Sequence, residues 1–326
     1  MAEGGDVEKA KRRKREERRE NDISQYSSST VQQPFIMYHQ PPSDRISVEE
    51  DTSRRRNMLK LNNNACTSDR KGVVAVVGVG PGLGYSIAQR FVHEGYTVAI
   101  FARNKARLES FVKDIAEKET NALLYAIRVD CSDLKEVKQA FESVRSFGFV
   151  ELLVYNVNSA PEQPSQKFMD IDPERFQQSL TLPSLGAFFC AQQVLPGMLE
   201  KKKGTIIFTG SSASVQGQQG AAETACGKFA LRALAQCLAR EFQPQGIHVA
   251  HVIVDGPISS MRKREGEDEK SKMNPEAIAE AYWHIHMQDQ GAWTHELDLR
   301  PVTLLPIVMQ PHDCVTAIRR LDTDAG

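Results

Sequence analysis

The sequence has few cysteines, no long apolar run and almost no net charge, and each of these absences excludes a class of protein. Its six cysteines form no CxxC pair and no compact cluster with histidine, which argues against a zinc site and a disulfide framework. No stretch approaches the ~20 apolar residues of a membrane-spanning helix, and the N-terminus lacks the apolar core of a secretion signal. We therefore expect a cytoplasmic protein with reduced thiols, no metal and no membrane partner.

Charge is balanced over the chain but not evenly distributed along it. The formal net charge is −1, from 41 basic and 42 acidic residues, which argues against nucleic acid as a partner of the whole protein. A dense basic run lies at residues 9–19. It is either a nuclear-localisation or nucleic-acid patch or, as we favour, a solvated charged leader. A leucine zipper is excluded because no leucine precedes Leu59.

Composition changes sharply near residue 71. Residues 1–58 contain no leucine and are rich in Lys, Arg, Glu, Ser, Gln, Asn and Pro. Such a segment cannot bury enough apolar surface to offset the entropy of ordering its chain. We therefore predict a disordered polar leader over residues 1–70, a single domain over residues 71–300 and a C-terminal extension over residues 301–326.

Within the domain, short apolar runs alternate with segments of helical spacing. The helical segments include two long ones near residues 173–199 and 221–242. Strands that alternate with helices imply right-handed crossovers and a parallel sheet covered on both faces. The predicted fold class is therefore α/β, with a doubly wound parallel sheet of the Rossmann type. Six runs predict its strands: Val73–Val77, Thr97–Phe101, Leu123–Val129, Glu151–Tyr155, Thr205–Thr209 and His248–Val254.

A glycine-rich segment joins the first predicted strand to the helix after it. It contains Gly78, Gly82, Leu83 and Gly84. Glycine lets the backbone approach a pyrophosphate without an intervening Cβ atom, and a helix N-terminus attracts the negative charge. Because the strand, the helix and the next strand are all in place, this segment predicts a dinucleotide site.

Arg103 follows the second strand, where a carboxylate would accept hydrogen bonds from an adenosine ribose. The sequence there is Ala102-Arg103-Asn104, without an acidic residue. An arginine in place of the carboxylate favours a 2′-phosphate, and hence NADP(H) over NAD(H). The alternative is that Arg103 is a solvated residue at the start of a helix.

The glycine spacing resembles the TGxxxGxG motif of the short-chain dehydrogenase/reductase superfamily, with Val77 where threonine is usual. The resemblance covers residues 73 to about 300, and it implies further contacts to the cofactor. By this resemblance, Asp130 contacts the adenine, and Asn156 matches the second asparagine of the family's NNAG stretch. Gly256 and Ile258 lie in the turn that holds the nicotinamide carboxamide.

The resemblance also implies an Asn-Ser-Tyr-Lys tetrad, which this chain matches only in part. Lys228 matches the lysine, and Thr224 stands four residues earlier, where tyrosine is expected. Positions i and i+4 share a helix face, so both side chains would point into one cleft. Pro183 stands at the asparagine position. The serine spacing selects Ser211, with Ser212 and Ser214 as close competitors.

The missing tyrosine leaves two functions open. A phenol with a pKa of ~10 can serve as acid or base beside an ammonium, whereas the aliphatic hydroxyl of Thr224 cannot. One function is an NADP(H)-dependent oxidoreductase acting on a carbonyl or alcohol of a small organic molecule, with Lys228 orienting the nicotinamide ribose and Ser211 polarising the oxygen. The other is a catalytically silent NADP(H)-binding sensor or scaffold. The resemblance favours the enzyme and implies a dimer or tetramer through the two long helices.

Two other features near the cleft have more than one interpretation. His251 lies in the sixth strand and could approach the cleft, although a packed, hydrogen-bonded histidine is the favoured interpretation. The charged segment from Ser259 to Lys272 is either a substrate lid or a solvated loop. No feature of the sequence names the substrate.

Overall fold

The computed structural model describes residues 71–119, 121–158, 167–259 and 272–301. The predicted leader, the extension from residue 302 onward and most of the predicted lid lie outside the described residues. Within the described part of the chain, seven parallel strands form one sheet in the order β3-β2-β1-β4-β5-β6-β7, which confirms the predicted doubly wound fold. The strands are β1 Val73–Val77, β2 Thr97–Ala102, β3 Leu123–Arg128, β4 Val150–Tyr155, β5 Gly204–Gly210, β6 Ile247–Val254 and β7 Glu296–Leu299.

Helices connect the strands and cover both faces of the sheet. Several begin at a side-chain cap, in which an Asn or Asp oxygen accepts a hydrogen bond from a backbone N–H of the first turn, as at Asn104 and Asp133. The helices are α1 Leu83–His93, α2 Lys105–Lys118, α3 Leu134–Arg145, α4 Pro173–Leu180, α5 Gly186–Lys201, α6 Ala222–Phe242 and α7 Pro275–His286.

The central strands are buried along their whole length because helices pack on both sides of them. Every residue of β1, β4, β5 and β6 is buried. On one face, Phe141 of α3, Ala187 of α5 and Leu231 of α6 pack against the sheet. On the other face, Ile87 of α1 and Leu108 of α2 belong to a second core, together with residues of α7. Strands buried on two faces read as continuous apolar runs, which is why the sequence pattern located them.

The predicted long helix near residues 173–199 is not continuous. One π-helical turn that contains Pro183 separates α4 from α5. Proline has no N–H for the helical ladder, and its ring obstructs the preceding turn. The backbone N–H of Gly186 consequently donates to the Thr181 carbonyl, five residues back, and the Leu182 carbonyl is left to accept the hydroxyl of a β4 tyrosine.

The strand β7 was not predicted from the sequence. This strand has four residues, lies at the edge of the sheet and is partly exposed, so it lacks the apolar run that marks the other strands. It pairs in parallel with β6, and Glu296 lies opposite His251 in that pairing. The missed strand therefore brings a carboxylate beside a buried histidine.

Among the described residues, no helix has the length and apolar character needed to cross a membrane.

Candidate functional site

A cleft of about 610 Å³ lies at the carboxyl ends of the strands, where the strand order reverses between β1 and β4. Such a reversal leaves a crevice in doubly wound sheets because successive connections leave toward opposite sides. Eight predicted cofactor residues line the cleft: Gly78, Gly82, Leu83, Gly84, Arg103, Asp130, Asn156 and Ile258.

The glycine-rich segment forms the floor of this cleft, and two of its glycines have no room for a side chain. Gly78 has a φ of +88°, and a Cβ atom there would lie 2.6 Å from the Asn156 carbonyl oxygen. A Cβ atom on Gly84 would lie 2.8 Å from the Cα atom of Val79. By contrast, a Cβ atom on Gly80 would meet nothing within 4 Å. The segment is thus packed against the protein on one side and open to the cleft on the other.

Asn156 ties the end of β4 to this floor. Its Nδ2 atom donates a hydrogen bond of 3.0 Å to the Gly78 carbonyl, and its backbone N–H donates to Val77. Asn156 also lines the cleft. Asn156, which was predicted to follow the fourth strand, therefore holds the turn after the first strand.

Two arginines lie on the cleft wall beyond β2. Arg103 was predicted there, and Arg107 was missed. The Asn104 Oδ1 atom accepts a hydrogen bond of 3.0 Å from the Arg107 backbone N–H, which caps α2 and places Arg107 in its first turn. Asn104 could have predicted this position from the sequence, because a capping residue fixes which residue is third in the helix.

Asp130 lies on the same wall, after β3. Burial raises the pKa of its carboxyl, but hydrogen bonds from the backbone and hydroxyl of Ser132 and the positive charge of Arg103 lower that pKa below its usual value. Asp130 is therefore ionised at neutral pH, close to the arginines.

Two predicted cofactor residues do not line the cleft. Gly256 lies against Pro301, whose Cδ atom would be 2.8 Å from a Cβ at that glycine. Lys228 has 4% of its surface exposed, and its Nζ atom donates a hydrogen bond of 3.0 Å to the Thr209 carbonyl. Burial lowers the pKa of Lys228 to about 8. Its ammonium is therefore bound at the end of β5, and it loses its proton at a lower pH than the ammonium of an exposed lysine does.

The structure separates the three candidate serines. Ser214 is fully buried, and its Oγ atom accepts a hydrogen bond of 3.1 Å from the Ser211 backbone N–H. Ser211 and Ser212 are half-buried in the turn that follows β5. Ser214 therefore stabilises the turn, whereas Ser211 and Ser212 are residues that remain partly exposed.

Comparison with known proteins identifies the family. The short chain dehydrogenase family model matches residues 72–270, which is more than half of the chain. The chain belongs to the short-chain dehydrogenase family.

Relatives of this chain match about seven tenths of its length. An uncharacterised oxidoreductase of Staphylococcus aureus is 24% identical over 231 residues, which cover 71% of this chain and 97% of that protein. A short-chain dehydrogenase structure from Rhodopseudomonas palustris is 31% identical, with a TM-score of 0.62, and covers 72% of this chain and 100% of that one. An alcohol dehydrogenase from Thermococcus sibiricus, complexed with 5-hydroxy-NADP, shares the fold at 22% identity and a TM-score of 0.64, over 72% of this chain and 98% of that one.

In this short-chain dehydrogenase, the helix α6 carries both residues that the sequence aligned with the end of the tetrad. Thr224 is half-buried in the first turn, and Lys228 follows one turn later on the same face. Pro183 packs against the same helix, since a Cβ atom on Gly227 would lie 3.0 Å from the Pro183 Cγ atom. The π-helical turn therefore closes over α6 beside Lys228.

Two tyrosines lie near this region, and neither supplies a phenol at Thr224. The Tyr155 hydroxyl donates a hydrogen bond of 2.5 Å to the Leu182 carbonyl. The Tyr282 hydroxyl lies 2.8 Å from the Thr209 Oγ1 atom. Both side chains are fully buried, and burial raises the pKa of each above its ordinary value. Both hydroxyls therefore have structural partners and stay protonated.

Among the described residues, no group of three or more His, Cys, Asp and Glu side chains could hold a metal ion.

Proposed function

We propose that this protein is an NADP(H)-dependent oxidoreductase that reduces a carbonyl, or oxidises an alcohol, of a small organic molecule. Membership of the short-chain dehydrogenase family supports the reaction class. The alcohol dehydrogenase of Thermococcus sibiricus, which shares the fold, was solved with an NADP derivative. The choice of NADP(H) rests on the residues of this chain's own cleft.

The observation that carries the proposal is the pair Arg103 and Arg107 on the wall beyond β2. Of the cleft-lining residues, Asp130 is the acidic one, and it follows β3 rather than β2. A ribose 2′-hydroxyl is usually bound by a carboxylate after the second strand, whereas a 2′-phosphate is bound by arginine. The open side of Gly80 leaves room for a pyrophosphate against the N-terminus of α1.

The other half of the site would handle the substrate oxygen. NADPH, when bound, would supply the hydride, and the proton that completes the alcohol would come from water, Lys228 or Ser211. Ser211 donates a hydrogen bond to the substrate oxygen, and Lys228 orients the nicotinamide ribose after its flexible side chain turns from the Thr209 carbonyl. Thr224 donates a hydrogen bond but moves no proton, because an aliphatic hydroxyl is too weak an acid. In this proposal the tetrad is degenerate at Thr224 and at Pro183.

Cofactor choice is tested by fluorescence titration with NADPH and NADH. We expect Arg103→Ala and Arg107→Ala each to weaken NADPH binding about tenfold, because each removes a charge-assisted hydrogen bond to phosphate. NADH binding should change much less. Lys105→Ala is the matched control, since Lys105 is exposed in the same helical turn, pairs with Glu109 and does not line the cleft. Equal losses for both cofactors would contradict a role in binding a 2′-phosphate.

Turnover is tested separately, with a panel of aldehydes and ketones and with the near-ultraviolet absorbance of NADPH as the readout. Loss of that absorbance in the presence of a carbonyl compound supports the enzyme. Tight NADPH binding without any oxidation would instead support the second candidate, a catalytically silent NADP(H)-binding protein. That candidate is favoured by one observation, the half-buried threonine at the position of the expected tyrosine.

A further inference from the structure

The turn after β3 forms one wall of the cleft. Three successive residues of this turn, Val129, Asp130 and Cys131, line the cleft. In the strand order β3-β2-β1, the turn lies beyond the arginines that follow β2, on the side away from the glycine-rich segment. A dinucleotide with its pyrophosphate at β1 and its 2′-phosphate at β2 would consequently present its base to the turn after β3.

The carboxylate of Asp130 has one oxygen in use and one available. Its Oδ1 atom accepts hydrogen bonds from the Ser132 backbone N–H, at 3.0 Å, and from the Ser132 hydroxyl, at 2.7 Å. Within the described part of the chain, Oδ2 accepts no hydrogen bond. An ionised carboxylate accepts hydrogen bonds and donates none. The available oxygen therefore suits the amino group at C6 of adenine and disfavours a carbonyl at that position.

Glu136, in the first turn of α3, holds the backbone of this aspartate. Its Oε2 atom accepts a hydrogen bond of 2.8 Å from the Asp130 backbone N–H. Both of its oxygens also accept hydrogen bonds from Arg128, the last residue of β3, at 3.0 and 3.1 Å. A carboxylate at the third helical position usually reaches back to the N–H of the capping residue, which here is Asp133. Glu136 instead reaches three residues further back, to a residue that lines the cleft.

We propose that Glu136 is a positioning residue for recognition of the cofactor's base. By holding the Asp130 backbone, it fixes where the available Oδ2 atom lies, and the site then prefers adenine over a purine with a carbonyl at C6. Glu136 acts through Asp130, since Glu136 itself does not line the cleft. This inference rests on the proposed function, because it requires a nicotinamide dinucleotide in the cleft.

Two sets of hydrogen bonds hold Asp130, and they have different consequences. The bonds from Ser132 fix the carboxylate within its own turn. The bonds to Glu136 tie that turn to α3 and to the end of β3. Loss of the Glu136 carboxylate would leave the first set intact and let the whole turn shift. Because a hydrogen bond depends on both distance and angle, a displaced Oδ2 atom would bind an amino group less well.

The first test compares NADPH with reduced nicotinamide hypoxanthine dinucleotide phosphate, in which a carbonyl replaces the C6 amino group. Nicotinamide fluorescence reports the binding of both to the full chain. We expect the wild-type protein to prefer NADPH about tenfold, because only adenine donates a hydrogen bond from C6 to the charged carboxylate. Glu136→Ala should reduce this preference to about threefold or less, whereas Glu136→Gln keeps an acceptor for the Asp130 N–H and should retain it.

Glu142→Ala is the matched control for the loss of a carboxylate. Glu142 is exposed on the same helix, pairs with Arg145 and does not line the cleft, so its replacement should leave the preference unchanged. A ratio of two affinities does not depend on the fraction of folded protein. If Glu136→Ala weakened both cofactors equally, Glu136 would have a structural role only, and the inference would be overturned.

The second test asks whether Glu136 acts through Asp130. Asp130→Asn should abolish the preference by itself, because an amide can donate a hydrogen bond to a carbonyl as well as accept one from an amino group. Adding Glu136→Ala to Asp130→Asn should then leave the ratio of affinities unchanged. An effect of Glu136→Ala that is the same with and without Asp130 would contradict the inference.

The outcomes also separate this inference from the proposed function. If the wild-type protein binds NADPH without a preference for adenine, the inference fails and the proposed function stands. If NADPH binds with that preference but no carbonyl compound is reduced, the proposed enzyme fails and the inference stands. A protein that binds neither cofactor would contradict both.

Discussion

The carboxyl edge of the sheet carries two regions, the proposed nucleotide half and the proposed chemical half, which are built in different ways. The nucleotide half, which follows β1 to β4, relies on backbone shape at Gly78 and Gly84 and on exposed arginines. The chemical half, at the ends of β5 and β6, instead buries its ionisable groups: Lys228 is 4% exposed and His251 is 1% exposed. Backbone contacts fix the shape of the nucleotide half. In the chemical half, burial shifts the pKa of Lys228 and of His251 and so decides their charge. The two halves should consequently respond to different kinds of substitution.

The largest expected effect is on the nucleotide half. Gly84→Ala should lower the free energy of unfolding by about 3 kcal/mol, because the new Cβ atom would lie 2.8 Å from the Val79 Cα atom and 3.0 Å from the Gly78 carbonyl oxygen. Urea unfolding measures this change, and NADPH affinity should fall with it.

Gly197→Ala is the matched control for that change. Gly197 also lies inside a helix, α5, but a Cβ atom there would meet only Phe149, at 3.9 Å. Alanine is normally better than glycine in a helix, by roughly 0.5–1 kcal/mol, so this variant should be slightly stabilised. If Gly84→Ala were stabilised as well, the floor of the nucleotide half would tolerate a side chain. Backbone contacts would then not fix its shape.

The next effect concerns the chemical half and has the opposite sign. Lys228→Met should raise the free energy of unfolding at pH 7 by about 2 kcal/mol. Burial lowers the pKa of Lys228 from 10.5 to about 8, which corresponds to a cost of about 3 kcal/mol, and the lost hydrogen bond to Thr209 offsets about 1 kcal/mol of the gain. Activity should be lost in the same variant.

The pH dependence of that difference provides its control. Between pH 8 and 10.5 the unfolded lysine keeps its proton while the folded one has lost it. The stability of the wild-type protein therefore rises with pH in this range relative to Lys228→Met, and the advantage of the variant disappears. An advantage that does not change between pH 7 and pH 10.5 would show that Lys228 is not buried as a charge.

The smallest expected effect is a gain in rate. Thr224→Tyr should increase carbonyl reduction about tenfold, because it places a phenol one helical turn from Lys228, where the ammonium favours its ionised form. Thr224→Phe adds the same bulk without a hydroxyl and should give no gain. Equal rates for the two variants would mean that proton transfer at this position does not limit the reaction.

The sequence predicted most of the fold because the relevant patterns are local. Six strands were located as apolar runs. β1, β4, β5 and β6 are buried along their whole length, and β2 and β3 have apolar residues at five of their six positions. The four-residue β7 was missed because an edge strand of the sequence Glu-Leu-Asp-Leu has no such run. The prediction of one continuous helix near residues 173–199 was wrong at Pro183. This residue has no N–H, and the hydrogen-bond ladder shifts there to a π-helical turn.

Residues of the candidate site were likewise predicted where a local pattern marks them and missed where it does not. Arg103 was predicted from its place after a strand, but Arg107 depends on where the Asn104 cap starts the helix. His251 was interpreted as a packed, hydrogen-bonded histidine, and the hydrogen bond to Glu296 agrees with that interpretation. The position of the His251 Nε2 atom beside Gly210 could not be predicted from the sequence, because it depends on the pairing of two strands.

The sequence by itself determined the alternation of strands and helices, the glycine-rich turn and the threonine one helical turn before Lys228. These follow from spacings of a few residues, which fix which side chains share a face. Only the tertiary structure decided that Lys228 is buried against Thr209 and that His251 meets a carboxylate 45 residues away. The charge of a buried group depends on what packs around it, and that packing brings together segments that are distant in the chain.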